Sequence, residues 1–121
     1  MPLLNQGTRF MIDTLKGRIN QVVFGFDGTL ATQEDGGIGR PAIIVTPVVT
    51  VLDDNTIMVE AKLPLSTSFN LPLREVVIRY QNPTLSTDTT DLFRYTYNAI
   101  TKTVNKWALV PMHKVLETAM V

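Results

Sequence analysis

The chain predicts a mainly β protein with a minor helical part: an antiparallel sheet or small β-sandwich of five to six strands behind a short N-terminal helix. Three observations carry that expectation. Apolar and polar residues alternate with a period of two at 56–63, 73–80 and 92–99, the spacing of a half-buried strand. Polar turn clusters separate these runs, as at Asp53-Asp54-Asn55. Nowhere does a strand pattern alternate with a long helical one, so a parallel doubly wound sheet is not indicated. At 121 residues a single domain is expected.

The elements follow in order. Residues 8–18 read as an amphipathic helix, with Met11, Ile12, Leu15 and Ile19 on one side, Gly17 near its stop and Asn5 or Thr8 as its cap. Residues 20–26, with Val22, Val23, Phe24 and Phe26, are rich in β-formers. Residues 27–40 hold four glycines and read as a flexible loop. Residues 41–52 carry β-branched side chains on both faces and read as one long strand buried on both sides. Pro47 removes a donor and marks an edge or a bulge. A three-residue turn joins this strand to 56–63, where Ile57, Val59, Ala61 and Leu63 point inward.

Residues 64–72 form a second flexible connector between prolines. On 73–80, Val76, Ile78 and Tyr80 share one face and Glu75, Val77 and Arg79 the other. On 92–99, Phe93, Tyr95 and Tyr97 lie opposite Arg94, Thr96 and Asn98. Residues 106–110 make a last strand, and 112–120 read as a terminal helix through Val115, Leu116 and Ala119. The domain is thus expected as a helical arm at 1–19, a β-domain at 20–111 and a tail at 112–121.

Composition narrows the chemistry. Eleven basic residues balance eleven acidic ones, and only 18% of residues are charged, against an ordinary share of about 25%. A neutral chain exerts no global pull on nucleic acid. With no Cys and one His there is no thiolate nucleophile, no disulfide framework and no Cys-based metal site. No run approaches the roughly 18 apolar residues of a membrane span, so direct membrane insertion is not expected. No cofactor is expected, and the reading is of a non-enzyme. Low charge favours association.

Two motifs invite a catalytic reading. Residues 22–30, VVFGFDGTL, resemble the first motif of the haloacid dehalogenase-like phosphatases, an apolar strand followed by Asp-x-Asp-Gly-Thr. Gly25 occupies the position of the nucleophilic Asp, and only Asp27, Gly28 and Thr29 match. Without that carboxylate no phospho-enzyme forms, so the motif reads as a strand ending in an Asp-Gly turn. Gly36-Gly37-Ile38-Gly39-Arg40 is glycine-rich like a phosphate cradle, but it runs into Pro41 and a strand instead of opening a helix. His113 lacks a neighbouring base or acid, and the pairs Asp53/Asp54 and Asp88/Asp91 lack the spacing of a calcium loop.

A broader resemblance runs across residues 20–110. Residues 25–29 give a Gly-x-Gly-Thr-like turn, 55–61 an Asn-x-Ile-x-Val-x-Ala strand, 73–80 the LREVVIRY strand, and 100–103 the segment ITKT before a final strand. In this order they resemble the N-terminal domain of bacteriophage tail-collar fibre and baseplate tail-fibre attachment proteins. Val77 stands where that family has Gly, and Arg79 departs from its pattern two residues later. The resemblance implies a structural virion protein of a phage tail, assembled in the bacterial cytoplasm. It implies an adaptor that meets baseplate subunits and tail fibres through protein contacts, as a homo-oligomer, with no nucleic-acid partner.

The candidate contact residues are Phe26, Asp27, Gly37 and Arg40 around the first loop, Phe69 in the second, and the aromatic group Tyr95, Tyr97 and Trp107. The same three aromatics support an alternative, a ligand- or carbohydrate-binding β-module that stacks a sugar on them.

Overall fold

The computed structural model describes residues 4–32, 35–53, 55–64, 69–100, 104–109 and 116–120. Helix α1 (Asn5–Arg18) precedes eight strands: β1 (Gln21–Gly25), β2 (Pro41–Val45), β3 (Val48–Asp53), β4 (Thr56–Lys62), β5 (Glu75–Gln81), β6 (Thr89–Thr96), β7 (Val104–Leu109) and β8 (Leu116–Met120). Two four-stranded sheets result, one ordered β2-β1-β5-β6 and the other β3-β4-β7-β8, with every pairing antiparallel. The fold class is the mainly β one that the alternation predicts, with more strands than the five or six expected.

The additional strands have two sources. Residues 41–52 are not one strand. The chain leaves the first sheet after Val45 and enters the second at Val48, so Thr46 and Pro47 form the corner. Proline suits that corner because it has no N–H to leave unpaired. β2 and β3 are both edge strands, which is the position that Pro47 indicates. Nor are they buried on both sides: Ile44, Thr46, Val48, Thr50 and Leu52 are exposed while the residues between them are half-buried. The other source is the C-terminus, where 116–120 pair with β7 as a strand in place of the expected helix. Helical spacing in so short a window does not fix the local structure, and an open edge on β7 supplies ladder partners. Residues 112–115 of that expected helix lie outside the described residues.

Other boundaries move by a few residues. α1 begins at Asn5, and its N-cap is Leu4, which makes no side-chain capping bond, so neither Asn5 nor Thr8 caps it. Gly17 lies within the helix and Ile19 closes it, its N–H on the Leu15 carbonyl. β6 and β7 each start earlier than the expected strands at 92–99 and 106–110.

The core lies between the sheets. Val22, Phe24, Val76 and Ile78 from the first sheet meet Ile57, Val59, Ala61, Trp107 and Leu109 from the second. The rings of Phe24 and Trp107 sit 6.2 Å apart across the interface. Ile12 and Ile19 enter the same cluster, so the N-terminal helix is docked on the sandwich. The inward face expected on 56–63 is observed in full: Ile57, Val59, Ala61 and Leu63 are buried. Among the described residues no helix is long and apolar enough to cross a membrane.

Candidate functional site

The first sheet is buried on both faces at its centre. Register places Val23 beside Val77, and Gly25 beside Glu75, on the face opposite Phe24 and Val76. Val23, Val77 and Glu75 are nevertheless fully buried. The cover comes from the chain between β1 and β2, whose described parts are tied to this outer face by hydrogen bonds.

Glu75 is the anchor. Its carboxylate accepts the backbone N–H groups of Asp27 at 2.7 Å, Gly39 at 2.7 Å and Arg40 at 2.8 Å. It also accepts Arg94 Nε at 3.3 Å. Three backbone donors and a guanidinium satisfy a charge that would otherwise be expensive to bury. Gly25 makes room for it. A Cβ on Gly25 would lie 2.8 Å from Glu75 Cγ and closer still to the Arg40 carbonyl oxygen.

Arg94 extends the network. Its Nη1 donates to Asp35 Oδ2 at 2.8 Å and to the Thr29 carbonyl at 3.1 Å, and its Nη2 donates to the Asp27 carbonyl at 3.3 Å. Burial disfavours the Arg94 charge, but its bonds to Asp35 and Glu75 outweigh that and hold its pKa above the ordinary value. Asp27 is held below the usual carboxylate range, first by the Thr29 N–H that it accepts at 2.9 Å and then by the positive charge of Arg94. Asp35 is lowered likewise, chiefly by the Thr32 N–H.

A second carboxylate holds the same loop further along the sheet. Asp91 pairs with Arg79 at 2.5 Å and accepts the Ile38 N–H at 3.2 Å. Gly37 adopts φ +130° against the Asp91 side chain, a conformation and a contact that a side chain would not tolerate. An open hollow of about 270 Å³ remains between Arg94, Asp27, Asp35 and the glycines 36, 37 and 39.

The candidate residues therefore fall into two groups. Phe26, Asp27, Gly37 and Arg40 gather at the loop. There the Arg40 guanidinium lies 5.9 Å from the Phe26 ring centre, and Phe69 meets Phe26 edge-on at 6.4 Å. Tyr95, Tyr97 and Trp107 belong to the interior. Trp107 is fully buried and donates Nε1–H to the Tyr97 hydroxyl at 2.6 Å, and both tyrosines pack on the core. The sugar-stacking platform expected from these aromatics is thus closed to a ligand, because Trp107 fills the space between the sheets.

Glu75 and Arg94, which organise the loop, are absent from the residues singled out by sequence. Both lie on strand faces that alternation assigns to solvent. The available signal was a glycine-rich loop with several free backbone donors on one side, and a Glu and an Arg among apolar strand residues on the other.

No family model, curated protein or solved structure matches the chain. The backbone donors at 38–40, which a phosphate cradle would offer to a ligand, are taken by the carboxylates of Asp91 and Glu75. Gly25, in the position of a phosphatase nucleophile, faces the Glu75 carboxylate at a distance that leaves no room for an Asp. Of the acidic pairs, Asp53 accepts the Asn55 N–H of its own turn, Asp88 accepts Asn82 Nδ2, and Asp91 is engaged as above. Among the described residues no group of three or more His, Cys, Asp or Glu is placed to hold a metal ion. Asp54 and His113 lie outside the described residues.

Proposed function

We propose that this chain is a structural component of a bacteriophage tail, an adaptor that docks on neighbouring baseplate or fibre subunits through a preformed loop. The observation that carries the reading is the contrast within residues 26–40. The base of the loop is fastened by Glu75, Arg94 and Asp91, while Leu30, beside the Arg94-bound Thr29 carbonyl, is left 78% exposed. Burying a charge network is a poor way to gain stability but a recognised way to specify one shape. A loop already in its bound shape loses less entropy on docking. The exposed Leu30, with Leu71 also exposed in the neighbouring connector, supplies apolar area for a partner to cover.

The resemblance of the ordered motifs to those of tail-collar and fibre-attachment domains supports the same reading. The 55–61 and 73–80 segments contribute the interior strands β4 and β5, and the 25–29 turn opens the fastened loop. Electron microscopy of virions made with and without the intact gene tests the proposal. The null mutant should yield particles lacking fibres or a complete baseplate, and Leu30→Asp should reproduce that defect while the isolated chain keeps its melting temperature. Complete, fibre-bearing particles from the null mutant would overturn it.

A further inference from the structure

One lateral side of the sandwich exposes apolar edge-strand side chains next to helix α1, which contacts β3. β2 and β3 are the edges of their respective sheets, and the Thr46–Pro47 corner joins them on the same side of the molecule. Natural edge strands are blunted with charges, above all Lys, to prevent pairing with another chain. Residues 41–52 contain no charged residue. On the opposite side the edge strand β6 carries Asp91 and Arg94, both paired inward with Arg79 and Glu75. On the β2–β3 side, Ile44 is 54%, Val48 63% and Leu52 53% exposed.

The charges that flank this segment have a directional pattern. Arg40 precedes it, Asp53 and Asp54 follow it, and Arg40 and Asp53 are both exposed. Two copies of the segment laid antiparallel set the Arg40 end of each against the acidic end of the other. A parallel arrangement opposes like charges at both ends. The chain's zero net charge adds no overall repulsion between copies.

We infer that the β2–β3 side is a two-fold interface for a second copy of this chain. The axis passes near Thr46–Pro47, and β2 of one copy pairs antiparallel with β3 of the other. The first sheet of one protomer then continues into the second sheet of its partner, and both open edges close at once. Pro47 sits at the corner near the axis, where its missing N–H interrupts neither ladder. Such a contact is self-complementary and closed, so it ends at two copies instead of propagating. The inference stands on this edge alone and does not depend on the tail reading.

The chain has no Cys, so a single introduced thiol reports the contact cleanly. Sedimentation of the full chain at about 100 µM should give a dimer mass. Thr46→Cys should form a disulfide-linked dimer under mild oxidation, and Leu85→Cys, exposed elsewhere, should not. Val48→Lys, whose side chain is exposed on β3 opposite Glu60, should weaken the dimer by about tenfold or more with a nearly unchanged melting temperature. Asp53→Lys should weaken it less, and pairing that change with Arg40→Glu should restore it. A monomer at that concentration, a mass above two copies, a dimer indifferent to Val48→Lys, or equal cross-linking through Leu85→Cys would each overturn the inference.

Discussion

The two sheets of the sandwich solve the problem of their outer faces differently. In the second sheet, β4 buries Ile57, Val59 and Ala61 and turns Met58 and Glu60 outward, half-buried. In the first sheet, the four leading residues of β5 are all buried, Glu75 and Val77 on one face and Val76 and Ile78 on the other. The difference is a third layer: the β1–β2 loop laid across the first sheet and held there by carboxylates. Its lesson is that a glycine-rich stretch can be ordered from outside. The shape of the loop's described parts comes from backbone donors captured by Glu75 and Asp91.

Removing the anchor should break this difference most severely. Glu75→Ala strands three backbone donors and removes a partner from the buried Arg94, and is expected to cost about 3–5 kcal/mol in urea unfolding. Gly25→Ala attacks the same place from the other side, by pressing a methyl group on Glu75 and on the Arg40 carbonyl. A loss of about 1–3 kcal/mol is expected, and Gly25→Asp should disrupt the fold without creating phosphatase activity.

A paired comparison of outer faces sharpens the contrast. Val77→Ala, on the covered face, should behave as a core truncation and cost about 2 kcal/mol. Met58→Ala, on the uncovered face of the other sheet, should cost less than about 1 kcal/mol. Equal losses would mean that the loop does not shield Val77.

Acid should affect the first sheet before the second. Asp27 and Asp35 have pKa values below their unfolded value, which lies near 3.9. Such groups stabilise the folded chain fully above the unfolded value, and the contribution is lost as pH falls through the lowered folded value. Melting temperature should therefore hold from neutral pH to about pH 5 and fall below about pH 4, and Asp35→Asn should flatten that fall. At the small end, the Lys106–Glu60 pair of the second sheet, about two-fifths exposed on both sides at 3.4 Å, should be nearly silent. Lys106→Ala is expected to change stability by less than about 1 kcal/mol.

The same contrast explains what the sequence disclosed. The β4 side chains were readable because one face meets solvent, so apolar and polar residues alternate. The β5 pattern was misleading because Glu75, Val77 and Arg79 form a face that looks solvated but lies under the loop. Residues 41–52 misled in the opposite sense. Their β-branched residues on both faces suggest double burial, yet the second face is exposed at an open edge. Only the crossing from one sheet to the other at Pro47 shows why. Phe26, Asp27, Gly37 and Arg40 were recognisable from loop chemistry, whereas their fastening through Glu75 and Arg94 depends on a register that sequence spacing does not supply.

Glu75 holds the described parts of the 26–40 loop as a layer on the first sheet. Amide hydrogen exchange of the full chain, with and without Glu75→Gln, tests it most directly. Exchange should be slow at Asp27, Gly39 and Arg40 in the native chain, and that protection should be lost selectively in the variant, with Val59 and Trp107 still protected. Fast exchange at those three amides in the native chain, or unchanged protection in Glu75→Gln, would contradict it.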